Sequence, residues 1–148
     1  MVGAPMSGSL VPLSDVADPV FASGKMGAGV GIAPSDGTVI APISGKVVVA
    51  MGSGHAYGIR SDDGVEVLVH VGIDTVNMKG EGFSPRVAKG DRVEKGQVLA
   101  EVDLATIEKA GYSTTTILLV TNTAAQQDVQ PTSGNHIAAG DAALVVTR

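Results

Sequence analysis

The sequence contains no cysteine and no tryptophan, and its aromatic residues are two phenylalanines and two tyrosines. Without cysteine there is no disulfide staple, no thiolate nucleophile and no cysteine-bound metal. With so few aromatics, any core must be aliphatic. Charge is also sparse. Asp, Glu, Lys and Arg make up 17% of the 148 residues and leave a net charge of −5. That sign disfavours nucleic acid as a partner and favours basic protein surfaces. No apolar run approaches the ~20 residues that span a bilayer; the densest, at residues 117–120, is far too short. The first basic residue is Lys25, so the N-terminus lacks the charged head of a secretory signal. These absences lead to the expectation of a cytoplasmic protein that does not insert into the membrane.

What the sequence does have is valine, isoleucine and glycine. Hydrophobic residues are 44% of the chain, with 20 glycines and 7 prolines spread among them. Branched Cβ atoms suit a pleated surface, and the frequent turn residues break the chain into short pieces. The reading is all-β: one antiparallel β-sandwich or barrel-like domain over residues 1–148, with at most short helices. Strands are expected at 9–13, 29–32, 38–40, 46–50, 56–60, 65–71, 98–102, 116–121 and 143–147. One short helix is expected at 104–110, with Asp103 as its N-cap and Gly111 as its stop. A near-repeat, Ala-Pro-Met-Ser-Gly at 4–8 and Ala-Pro-Ile-Ser-Gly at 41–45, precedes a strand each time and suggests a duplicated sheet unit.

The stretch VEVLVHVGIDT, residues 65–75, places a histidine on an apolar strand. Val65, Val67, Val69 and Val71 share one face, while Glu66, Leu68 and His70 share the other. Upstream, His55 begins a second strand, and Ser-Asp-Asp-Gly at 61–64 reads as the hairpin turn between the two. If Arg60 faces Val65 across a four-residue loop, paired positions sum to 125 and His55 falls opposite His70. Cross-strand partners have Cβ atoms about 4.5–5.5 Å apart. A shift of two would keep both imidazoles on one face, and a shift of one would separate them. Two adjacent imidazoles fit three chemistries: a pair of metal ligands awaiting a third, a general acid/base pair, or a phosphoryl nucleophile beside a hydrogen-bond donor.

Residues 53–83, SGHAYGIRSDDGVEVLVHVGIDTVNMKGEGF, resemble the enzyme IIA domain of the glucose-type phosphoenolpyruvate-dependent sugar phosphotransferase system. The likeness runs through the chain, including Asp-Pro-Val-Phe at 18–21, Gly-Ala-Gly-Val-Gly at 27–31, the second Ala-Pro-x-Ser-Gly motif and residues 87–103. The resemblance implies a β-sandwich of duplicated units and the work of a phosphocarrier. Such a domain accepts a phosphoryl group from a histidine of the small carrier HPr and passes it to a cysteine of a sugar-specific IIB domain of a IIBC permease. Lacking cysteine, this chain must hand the group to another polypeptide.

By motif match, His70 is the phosphorylated residue, as tele-phosphohistidine, and His55 is the imidazole that stabilises the phosphoryl group. Ser53 stands where a threonine hydroxyl supports the second histidine. Asp18, Val20, Phe21, Ile73 and Asp74 match the partner-facing rim. No cofactor beyond the covalent phosphoryl group is implied, and zinc at His55 and His70 would be adventitious. His136 reads as a surface residue in a loop, and the Lys-Gly-Glu-Gly stretch at 79–82 as a solvated turn.

Three rival readings stand beside this one. In the first, the domain binds transporters or metabolic enzymes as a regulator when unphosphorylated. A zinc peptidase of the lysostaphin type would share the KGDRVEKGQ-like segment, but it needs a His-x-His pair and a separate His/Asp ligand pair; the sequence has no His-x-His, and His136 has no neighbouring ligand histidine. A biotinyl or lipoyl carrier would use a single lysine at a hairpin tip, which leaves the histidine hairpin unexplained.

Overall fold

A computed structural model describes residues 2–16, 27–50, 54–73, 75–122, 128–131 and 135–147. Asp18, Val20, Phe21, Ser53 and Asp74 lie outside the described residues. Every strand pairing is antiparallel.

The valine-rich stretches form strands where their alternation is sustained. In chain order these are β1 (Val2–Gly3), β2 (Gly8–Pro12), β3 (Ala28–Pro34), β4 (Thr38–Ile40), β5 (Gly45–Ala50), β6 (Ala56–Arg60) and β7 (Glu66–His70). There follow β8 (Phe83–Pro85), β9 (Arg92–Val93), β10 (Val98–Val102), β11 (Thr116–Val120), β12 (Asp128–Pro131), β13 (His136–Ile137) and β14 (Ala142–Thr147). The nine expected strands are all present, three of them (β4, β6, β10) with the expected bounds. The five unexpected ones, β1, β8, β9, β12 and β13, have two to four residues, too few to show a period of two. Pro85 and Pro131 end β8 and β12, which are edge strands, the place in a sheet where a missing N–H is tolerated. His136 is exposed as expected, but it sits in β13 opposite Ser9 rather than in a loop.

The helix α1 (Leu104–Lys109) starts at Asp103, whose carboxylate accepts the Thr106 N–H at 3.3 Å. This satisfies a donor that the first turn leaves open. Only Ile107 of the helix is buried, so α1 is a small cover rather than a layer.

Duplication is written into the hydrogen bonding. The large sheet runs β13-β2-β3-β11-β7-β6-β5-β9, and the two three-stranded sheets run β1-β14-β12 and β4-β10-β8. Exchanging β2 with β5, β3 with β6, β11 with β7 and β13 with β9 maps the large sheet on itself and one small sheet on the other. The Ala-Pro-x-Ser-Gly copies exchange bonds reciprocally: Gly3 N–H donates to the Pro42 carbonyl at 2.9 Å, and Ile40 N–H to the Pro5 carbonyl at 2.8 Å. Ser7 Oγ accepts from Ala139 N–H and Ser44 Oγ from Lys95 N–H, each at 2.8 Å. The pseudo-twofold axis passes between β7 and β11, where Leu68 faces Leu119 and Val69 faces Leu118. His70 thus stands at the end of one of the two central strands, paired on both sides.

The core between the sheets is aliphatic, built on residues such as Val39, Val47, Ile59, Val69, Leu99 and Leu118. The second cluster lies on the other face of the large sheet. There Ile117 and Leu119 of β11 are joined by Val16, with Leu13, Leu68 and Ile73 packed against them.

Candidate functional site

The hairpin that carries both histidines has a different register from the expected one. Ser61 closes the loop against Val65: its N–H donates to the Val65 carbonyl at 2.9 Å, and its hydroxyl accepts from Val65 N–H at 3.0 Å. Only Asp62, Asp63 and Gly64 remain in the loop, and Gly64 adopts φ +93°. This three-residue loop with a left-handed glycine makes paired positions sum to 126, so Ala56, not His55, faces His70. The expectation that a shift of one separates the imidazoles is also wrong. The ring centroids of His55 and His70 are 5.0 Å apart, edge to face at 80°.

The reason lies at the end of β6. His55 precedes the strand, in a bend that follows Gly54 at φ +79°, so strand alternation does not dictate where its side chain goes. Its backbone stays on the ladder, the His55 carbonyl accepting from Val71 N–H at 2.7 Å.

His70 is half-buried and His55 is 2% exposed. Burial, and then the neighbouring His70, hold the His55 pKa below its usual 6.5, so the ring is neutral at pH 7. His70 Nδ1 lies 2.8 Å from the Gly72 carbonyl oxygen. A carbonyl can only accept, so Nδ1 carries the proton and the lone pair of the neutral ring is at Nε2. A nucleophilic nitrogen is thereby set beside a second imidazole able to donate an N–H.

The turn after His70 is rigid. Gly72 adopts φ +78°, and a Cβ there would come 2.4 Å from Thr75 Cγ2 and 2.9 Å from the Ser113 carbonyl. Only glycine fits, on both counts. Ile73 N–H donates to the Ser113 carbonyl at 3.1 Å, and buried Thr75 donates its hydroxyl to the Val71 carbonyl at 2.5 Å. No motif in the sequence marks Thr75 or Ser113. The one available signal was a threonine four residues after Val71, within reach of its carbonyl.

Around His70 the outer face of the sheet is apolar. His70 faces Ile117 across the β7–β11 ladder, and Ile73, one of the expected rim residues, packs on the Ile117 cluster. A cavity of about 270 Å³, lined by Ser44, Ser61, Asp63 and Lys95 among others, is at the opposite end of the hairpin, some five residues or roughly 16 Å away. Neither histidine lines that cavity. Among the described residues no group of three or more His, Cys, Asp or Glu converges as a metal site would require. No helix among them is long and apolar enough to cross a membrane.

The chain is similar to known proteins over its whole length. A profile of the phosphoenolpyruvate-dependent sugar phosphotransferase system, EIIA 1 family matches residues 1–126. The chain is 40% identical to the glucose-specific EIIA component of Halalkalibacterium halodurans over 148 residues, covering all of this chain and 86% of that protein. It is 50% identical over 119 residues to the glucose-specific EIICBA component of Staphylococcus saprophyticus, covering 80% of this chain but 18% of the relative. A beta-glucoside-specific EIIBCA component of H. halodurans matches at 40% over 147 residues, 99% of this chain and 23% of the relative. The chain thus spans about a fifth of these longer relatives. Among solved structures, the glucose permease IIA from Mycoplasma capricolum superposes with a TM-score of 0.88 at 34% identity, covering 98% of this chain and 92% of that one.

Proposed function

This chain belongs to the EIIA 1 family of the phosphoenolpyruvate-dependent sugar phosphotransferase system, and from that membership we propose that His70 carries its phosphoryl group, at Nε2. The family makes the protein a phosphocarrier, a phosphotransferase component of sugar uptake. The single observation that supports His70 as the acceptor is the 2.8 Å contact from its Nδ1 to the Gly72 carbonyl, which leaves the lone pair at Nε2. The donor is HPr, as its phosphohistidine. His70 Nε2 attacks phosphorus, the donor's N–P bond breaks, and its electron pair returns to the donor imidazole. No proton has to leave His70, because the one it bears is on Nδ1.

Phosphoryl transfer relies on positioning and on spreading negative charge rather than on covalent chemistry from the protein. The stiff central strand and the Gly72 turn supply position. His55, neutral at pH 7, supplies an N–H to a phosphoryl oxygen in a charge-assisted bond, and Ser53 supports that ring. As the acceptor partner we propose a cysteine thiolate of a IIB domain, on a separate polypeptide. The relatives whose names join the A part to B and C parts support that pairing. Asp18, Val20, Phe21, Ile73 and Asp74 form the docking rim in this reading. Residues 1–148 act as one IIA domain in the cytoplasm, with no further cofactor.

The test is intact mass after incubation with phosphoenolpyruvate, enzyme I and HPr. Wild type should gain one acid-labile phosphoryl group, and His70→Ala none. His55→Ala should still accept the label but pass it slowly to a IIB domain. An unlabelled, folded wild type, or a labelled His70→Ala, would overturn the assignment.

A further inference from the structure

Among the described residues the buried polar side chains are His55, Thr75 and Thr116. His55 belongs to the transfer chemistry. Thr75 is four residues beyond Val71 and contributes no group to the transfer itself, yet it is fully enclosed. Its hydroxyl grips the Val71 carbonyl at 2.5 Å, which fixes the peptide plane before Gly72. The plane after Gly72 is fixed from the other side, by Ile73 N–H on the Ser113 carbonyl at 3.1 Å. Between the two anchors Gly72 holds φ +78°, and the Thr75 methyl and the Ser113 carbonyl occupy the space a Cβ would need. The carbonyl aimed by this clamp is the one that accepts from His70 Nδ1.

From this geometry we infer that Thr75 is a positioning residue for phosphoryl acceptance. By clamping the Gly72 turn it holds the Gly72 carbonyl against Nδ1, and so keeps His70 in the tautomer and orientation that present Nε2 to the donor. The inference rests on the reading of His70 as the acceptor. A histidine on a strand has two soft torsions, and a ring free to rotate or to exchange tautomers would offer a protonated Nε2 for part of the time. The clamp removes that fraction. It also keeps a carbonyl dipole on the Nδ1 proton as the ring becomes more positive on phosphorylation, which strengthens that bond.

The experiment compares Thr75→Val, which keeps the shape and removes the hydroxyl, with Thr75→Ser, which keeps the hydroxyl. Two readouts are needed: ¹⁵N chemical shifts of the His70 ring in the unphosphorylated protein, and the kinetics of labelling by phospho-HPr. Thr75→Val should raise the share of the Nε2–H tautomer and slow labelling on the order of tenfold through kcat, with KM for HPr little changed. Thr75→Ser should restore both to near the wild-type values. If folded Thr75→Val keeps the wild-type tautomer and rate, or if Thr75→Ser is as impaired as Thr75→Val, the inference is wrong and Thr75 serves stability alone. Should wild type fail to be labelled on His70, the functional reading falls, and the ring shifts still decide whether Thr75 governs the tautomer.

Discussion

A neutral imidazole has two inequivalent nitrogens, and the proposed function depends on which one holds the proton. At His70 the Gly72 carbonyl decides the matter. At His55 the controlling factor is desolvation. Burial and the adjacent His70 disfavour a charge there, so its folded pKa lies below 6.5, while the unfolded chain keeps the ordinary value of about 6.5. As pH falls below that value the unfolded state binds the proton first. The stability associated with a neutral His55 is therefore present at pH 7 and is lost as pH falls through the folded pKa. His55→Gln removes the titration. Urea midpoints of wild type and His55→Gln, measured from pH 7.5 down to 5, should show wild type losing stability more steeply below pH 6.5. Parallel curves would mean that the fold does not hold His55 neutral.

At the scale of the element, one loop residue sets the register on which the site is built. Three residues, not four, separate Ser61 from Val65, and Gly64 at φ +93° makes that count workable. Nothing lies within 4 Å of where a Gly64 Cβ would be, so substitution there tests the backbone alone. Gly64→Val should cost about 1–2 kcal/mol, the penalty of a left-handed conformation for a residue with a Cβ, read as a lowered urea midpoint with an unchanged slope. A neutral outcome would mean that the loop is not held in this geometry. The pattern of valines at 65, 67, 69 and 71 was enough to predict the strand and the face that carries His70. It was not enough for the pairing, because a Ser-Asp-Asp-Gly sequence is compatible with loops of either length. The same limit applies to β9 and β13. Two residues carry no period, and these strands exist because Gly45 and Gly8 begin longer strands beside them.

Across the whole molecule, the duplicated sheet gives a rigid, two-fold scaffold, and only one half of it carries a histidine at the centre. On the matching strand β11 the outer face carries Ile117 and Leu119 instead. The outer face around His70 is apolar, with partly buried Leu68 and Ile73 packed over buried Ile117. In the proposed function this patch meets the phosphoryl donor. Ile73→Ala should raise KM for phospho-HPr about fivefold, the size of a modest interface contact, and leave kcat near wild type. A fall in kcat with unchanged KM would argue against a docking role.

Composition and local pattern alone determined the class of fold, the strands long enough to alternate, the helix between Asp103 and Gly111, and the hairpin that carries both histidines. Each of these depends on neighbours in the chain, which a sequence displays directly. Tertiary structure decided the rest. The 126 register, the bend that returns His55 to within 5.0 Å of His70, and the clamp of Thr75 and Ser113 on Gly72 all bring together groups whose contact depends on loop geometry. Ser113 reaches the turn only because β11 lies beside β7, a pairing across some forty residues of intervening chain that no local propensity specifies.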